Sequence, residues 1–192
     1  MVAISNSLHT PQGVLEFYDS LPEMPGLHVE IINGRVVVSP AGTPDHGRKL
    51  TRMSWAFQPL ADNLGWDVWT GTVDVVIVGS RQPVIPDLVL APPGAPLWDA
   101  RELRSDGLIM VGEVVSDSSV DDDRKYKPGM YASGGVPLML LVDPIADPAM
   151  VTILSHPKEG TYTHSGAVRM GEPLHIPDPV DFILDTAIFL TD

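Results

Sequence analysis

The sequence predicts a mixed α/β domain with a central β-sheet flanked by helices, and three observations carry that reading. Residues 108–115 and 138–142 are near-continuous apolar runs, the pattern of strands covered on both faces. A segment with helical spacing lies between them, so the pair reads as a parallel crossover. Shorter β-rich stretches punctuated by Gly, Pro and Asn surround this unit, and nineteen prolines and seventeen glycines supply the turns.

Along the chain, His9-Thr10-Pro11 opens a short helix, with Thr10 as N-cap and Pro11 at the first helical position, where its missing N–H costs nothing. Val14, Leu15, Phe17 and Tyr18 form its apolar stripe, and the stretch from Pro22 to Pro25 ends it. Residues 28–32 and 35–38 flank Asn33-Gly34, the strongest short hairpin signal because both residues tolerate positive φ. Residues 48–64 read as a helix with a kink or break at Pro59. Strands are expected at 66–70, 72–78 and 84–90, then a proline-rich loop or short helix at 91–107. After the run at 108–115 come an acidic loop, a helix over about 125–133 stopped by Gly134-Gly135, and the strand at 138–142. Residues 151–154 and 162–168 form a final hairpin, and 182–190 a strand or helix. No repeat or linker divides the 192 residues, a length suited to one domain spanning 1–192.

Composition narrows the function. The chain has no cysteine, which removes disulfides, thiolate metal sites and a cysteine nucleophile, and is compatible with a cytoplasmic location. The first residues show no basic region followed by an apolar core, and no apolar run reaches the roughly 18 residues of a membrane span. A soluble cytoplasmic protein is therefore expected. No Gly-x-Ser-x-Gly, no His-x-x-x-His and no Gly-rich phosphate loop occurs. The net charge of −13 counts against tight metal-free binding to nucleic acid, whose affinity rests on phosphate contacts. Two local basic clusters oppose it: Arg48, Lys49 and Arg52, and Arg124, Lys125 and Lys127.

Two acids stand out. Asp87 interrupts the apolar run VIPDLVL, and Glu113 lies in LIMVGEVVS, a strand expected to be buried. An ionised carboxylate there is costly unless it is paired or metal-bound. On neighbouring strands the two would make the oxygen-rich half-site that Mg²⁺ or Mn²⁺ prefers. Downstream, Lys127 sits four residues before Tyr131, on one helical face and in the first turn, from which an ammonium can point at the strand carrying Glu113. The alternative is that Lys125 and Lys127 only balance the acidic run Asp121–Asp123 on a solvated face. His46, at the head of a helix, can touch a phosphate or metal, or merely cap the loop. Asp74 either faces the same cleft or points to solvent, and Ser116 to Ser119 form a turn that caps the loop or hydrogen-bonds the site.

Four stretches, HVEIINGRVVVSPAGTPDHGRKL, VIPDLVL, VGEVVSDSSVDDDRKYKPGMYASGGVPLMLLVDP and GEPLHIPDP, resemble the Uma-two (Uma2) family of restriction endonucleases, a branch of the PD-(D/E)xK superfamily, over about residues 10–190. The third is the most specific, through Glu113, Asp123, Lys127-Pro128, Tyr131 and Gly135-Val136-Pro137. The resemblance implies a restriction-endonuclease-like core with Asp87 and Glu113 as metal ligands and Glu30 as a further ligand or proton acceptor. Where the wider superfamily places a lysine two residues after the glutamate, this chain has Val115; the resemblance implies that Lys127 replaces it, with Lys125, His46 and Tyr131 as accessory residues. Leu138-Met139 stand where relatives carry aromatics, a change of packing.

The function so implied is Mg²⁺- or Mn²⁺-dependent hydrolysis of DNA. Two alternatives stay open: a nuclease fold used as a binding or regulatory module without turnover, and a nuclease active only with a protein partner that supplies DNA affinity. A homodimer would bring two sites to the two strands of a duplex. Sequence specificity and the choice between DNA and RNA are not legible.

Overall fold

A computed structural model describes residues 10–190, so His9 and the N-terminal segment lie outside the described residues. Helix α1 (Pro11–Asp19) starts as its cap dictates, with Thr10 Oγ1 accepting from the Gly13 amide at 3.1 Å. Strands β1 (Leu27–Ile32) and β2 (Arg35–Pro40) form the hairpin, and Asn33 and Gly34 take φ of 49° and 72°. Helix α2 (Pro44–Leu64) begins four residues earlier than the apolar periodicity indicates, because Thr43 caps it and Pro44 occupies its first position. It continues through Pro59 without breaking and ends at Gly65 in the left-handed region.

Next come β3 (Asp67–Trp69), β4 (Asp74–Ile77), β5 (Gln82–Val84) and β6 (Leu88–Ala91). The expected strand at 84–90 is thus two strands broken at Ile85-Pro86-Asp87. Pro86 has no amide to donate, and the Asp87 carboxylate takes a backbone amide of its own. The segment 91–107 is neither plain loop nor α-helix: it holds β7 (Glu102–Arg104) and a 3-10 turn. Strand β8 (Met110–Val114) leads through a π-helical turn (Asp122–Tyr126) into α3 (Lys127–Ser133) and strand β9 (Leu138–Asp143). The chain ends with β10 (Met150–Lys158), β11 (Thr161–Arg169), β12 (Pro173–Ile176), β13 (Phe182–Asp185) and a 3-10 turn at 186–189. The tail is therefore strand and helix together, and β12, hidden in a proline-flanked PLHI, pairs with β13.

Six strands form the central mixed sheet in the order β11-β10-β9-β8-β6-β3. β8 and β9 are parallel, as the crossover demands, and the other neighbours are antiparallel. Alternation along the strands divides the core. Met110 and Val114 of β8, with Leu88 and Leu90 of β6, pack with Met53 and Phe57 of α2. Val111 and Val89 pack with Tyr131 of α3 on the opposite face. Gly112 lets α2 approach: a Cβ there would lie 3.0 Å from Met53 Sδ and 3.1 Å from Leu88 Cβ. Among the described residues, no helix is long and apolar enough to cross a membrane.

Candidate metal centre

Leu88 pairs with Gly112, so one further step of the register puts Asp87 across from Glu113. Both belong by alternation to the face of Val89 and Val111, the α3 side. Asp87 is placed at the mouth of the sheet: one oxygen accepts the Val114 amide at 2.7 Å and the other meets His46 Nε2 at 3.1 Å. His46 reaches it from the first turn of α2, and its link to Asp87 raises its pKa despite partial burial.

The helix side brings in the lysine. In the π-helical turn the Lys127 amide donates to Asp122 O, five residues back, a geometry found often at functional sites. Pro128 then sits in the first turn of α3, where its missing N–H is harmless. Lys127 Nζ lies 3.0 Å from Glu113 Oε2, 3.1 Å from Asp123 Oδ1 and 3.8 Å from Glu30 Oε1. Glu30 arrives from β1 and is held by the Ile85 amide at 2.9 Å, which ties the hairpin to the residues just before Asp87. Glu30, Glu113, Asp123 and Lys127 are each no more than 6% exposed. The other oxygen of Glu113 accepts a short hydrogen bond from the hydroxyl of Tyr131, itself fully buried.

The electrostatics are strongly negative. Counted formally as ionised, the four carboxylates (Glu30, Asp87, Glu113, Asp123) outnumber one ammonium and one imidazole by two negative charges even with His46 protonated. Burial pushes the Glu113 carboxyl well up, although the Lys127 ammonium opposes it. Burial raises Asp123 as well. For Lys127, burial acts downward, but the attraction of Glu113 and Glu30 outweighs it and keeps the side chain charged. Burial and the neighbouring Glu113 keep Tyr131 protonated, so it remains a donor.

The chemistry of this donor set fits a hard divalent cation: oxygen ligands, excess negative charge, and one buried carboxylate oxygen, Asp123 Oδ1, with no hydrogen-bond donor. Lys127 Nζ is 3.1 Å from that oxygen but outside hydrogen-bond geometry. Among the described residues, no three acidic or histidine side chains converge on a ready-made ion position. The lysine nitrogen stands among three of the carboxylates instead.

Of the residues singled out in the sequence, Asp87, Glu113, Lys127, Glu30, His46 and Tyr131 meet here. Lys125 does not: it is solvated and paired with Asp121 at 2.7 Å. Asp74 lies elsewhere, half-buried near Arg101, His28 and Asp99, and burial raises its pKa. Ser116 and Ser119 hydrogen-bond each other at 2.8 Å and close the turn after β8. The basic clusters are largely spent internally. Arg48 and Lys49 both bind Asp45, Arg52 binds the carbonyls of Ile188 and Leu190, and Arg124 grips Asp143. Two surface clefts of about 550 and 620 Å³ lie along α1 and the hairpin and involve none of the clustered acids. Asp123, given no role from the sequence, is the residue that reading missed. Its position four before Lys127 is the signal that places both on one face.

Comparison with known proteins agrees with this architecture. The family model Uma2, described as "Putative restriction endonuclease", matches residues 15–187. A crystal structure of a protein from Anabaena variabilis, described as a "putative nuclease", has a TM-score of 0.65 and 15% sequence identity over 92% of this chain and 96% of that one. At that identity the likeness is one of fold. No curated protein matches the chain.

Proposed function

Because the chain belongs to the Uma2 family of restriction-endonuclease-like proteins, we propose that it is a divalent-metal-dependent endonuclease that hydrolyses phosphodiester bonds in DNA. The observation that carries this reading is the convergence of Glu30, Glu113 and Asp123 on the ammonium of Lys127, with Asp87 across from Glu113, at one end of the central sheet.

Asp87 and Glu113 would hold Mg²⁺ or Mn²⁺, which when bound supplies Lewis-acid polarisation of the phosphodiester and makes water acidic enough to attack. The protein's own groups do the rest. Lys127 offers N–H donors to the negative charge that grows on the phosphoryl oxygens, in a site dry enough to make them effective. Tyr131 fixes one oxygen of Glu113 and leaves the other facing Lys127. His46 and the Val114 amide hold the Asp87 carboxylate in one orientation. Glu30, anchored by the Ile85 amide, would accept a proton from water.

The internal pairing of Arg48, Arg52 and Arg124, with a net charge of −13, favours a second reading in which a protein partner or a second copy supplies DNA affinity, or the fold serves as a binding module without turnover. Incubating the pure protein with supercoiled plasmid and Mg²⁺ or Mn²⁺, beside Glu113→Ala, separates these. Cleavage by wild type alone supports the enzyme. Cleavage by neither protein, with activity restored in cell extract, supports the partner. Silence throughout supports the module.

A further inference from the structure

Asp87 and Glu113 have both oxygens engaged: Asp87 by His46 and the Val114 amide, Glu113 by Lys127 and Tyr131. Asp123 differs. It is 2% exposed, and its Oδ1 has no hydrogen-bond donor. A buried carboxylate oxygen left in that state is costly. The nearby ammonium does not cure it: Lys127 Nζ sits 3.1 Å away at an angle outside hydrogen-bond geometry, while it hydrogen-bonds Glu113 Oε2 at 3.0 Å. One cation is shared among three buried carboxylates and makes a proper hydrogen bond to one of them.

Resting on the metal-dependent reading above, we infer that Asp123 is itself a ligand of the divalent cation, and that the Lys127 ammonium and the metal compete for the same carboxylates. The π-helical turn is what sets this up. By sending the Lys127 amide back to Asp122, it brings the Asp123 and Lys127 side chains together beside β8, where Glu113 projects. The preceding Ser116–Ser119 turn fixes the start of that segment, with the Asp123 amide bonded to Ser119 O at 2.8 Å. In this arrangement Lys127 occupies the acids while no metal is bound. It is freed to meet an anionic substrate once the metal takes them over.

The two halves of the inference predict opposite changes in metal affinity. Mn²⁺ binding is measured by calorimetric titration of the full chain for wild type, Asp123→Asn, Asp123→Ser and Lys127→Gln, with far-UV circular dichroism as the check on folding. Removing the ligand in Asp123→Asn and Asp123→Ser weakens Mn²⁺ at least tenfold, whereas removing the competitor in Lys127→Gln tightens it threefold or more. If Asp123 served only to position Lys127, both kinds of variant would shift affinity in the same direction. That result, or an Asp123→Asn affinity within twofold of wild type, overturns the inference while leaving the nuclease reading intact. A wild-type chain that binds no Mn²⁺ at millimolar concentration overturns both. A readout that needs no variant is paramagnetic broadening of carboxylate carbon resonances in the wild type. Mn²⁺ should broaden the Asp123 resonance; an Asp123 resonance that stays sharp counts against the inference.

Discussion

Asp87 accepts the backbone amide of Val114 at 2.7 Å, so the acid just before β6 takes over, on that side, the pairing of the strand that carries Glu113. A polar side chain here does the work of a backbone carbonyl. The two carboxylates are thereby locked to one another through a main-chain bond, and the candidate metal site inherits the rigidity of the sheet.

That lock gives the first prediction. Asp87→Ala and Glu113→Ala each abolish metal-stimulated plasmid cleavage, a loss of roughly a hundredfold to a thousandfold or more, yet both fold. Glu113→Ala retains its circular dichroism because Glu30 and Asp123 still neutralise the buried Lys127 ammonium. Wild-type cleavage rates in either variant would remove that residue from the site.

Tyr131→Phe leaves one oxygen of the buried Glu113 without its donor. The expected cost is about 1–3 kcal/mol of folding stability, read by urea denaturation. Added Mn²⁺ should recover part of it, since a ligand that binds the native state raises its stability. A variant as stable as wild type would mean that Lys127 alone satisfies Glu113.

Stability should also depend on Glu102, which is not part of the carboxylate cluster. Burial, reinforced by Asp99, pushes its pKa from 4.5 up to about 7. The folded chain therefore holds a proton there that the unfolded chain has lost, between about pH 4.5 and 7. Stability from this group is fully present below that window and declines as pH rises through it. Glu102→Gln should flatten the fall, with a higher thermal midpoint than wild type at pH 8 and little difference at pH 4. Parallel pH profiles for the two proteins would refute it.

Gly112→Ala places a methyl group 3.0 Å from Met53 Sδ and 3.1 Å from Leu88 Cβ, so the contact between α2 and the sheet must shift to make room. Overpacking of this kind costs about 1–3 kcal/mol. Because His46 rides on α2 and holds Asp87, Mn²⁺ affinity should drop along with the thermal midpoint. An unchanged affinity would show that α2 does not set the position of Asp87.

Metal-free protein should bind duplex DNA weakly, with Kd in the range of about 10⁻⁴–10⁻⁶ M or poorer and a shallow dependence on salt. The reason is that Arg48, Arg52 and Arg124 already have partners inside the chain. Tight, steeply salt-dependent binding measured by fluorescence anisotropy would contradict this.

Much of this was legible in the sequence, and the reasons are local. Asn33-Gly34 announces its hairpin because few residues tolerate its backbone angles, and Thr10-Pro11 announces its helix because the cap is a side chain. The parallel step from β8 to β9 follows from two apolar runs with a helix between them. What stayed hidden depended on distant partners. The break at Pro86 is decided by the Val114 amide, and the early start of α2 by Thr43 where apolar spacing had nothing to say. Asp123 had a place in the family-like motif but no role, whereas in the structure Asp121 and Asp122 face Lys125 and Arg35 on the outside and Asp123 alone turns in. The four-residue spacing to Lys127 points the same way, and the π-helical turn, which no periodicity of 3.6 reveals, completes the placement.

Glu30, Asp87, Glu113 and Lys127 come from a hairpin, a strand entry, a central strand and a helix separated by long stretches of chain. None of these pieces can gather the charges by itself. A ribosome-bound or half-folded chain therefore carries no assembled carboxylate cluster, and whatever chemistry the cluster performs is withheld until the last of the four segments has docked. The fold acts as its own safety catch.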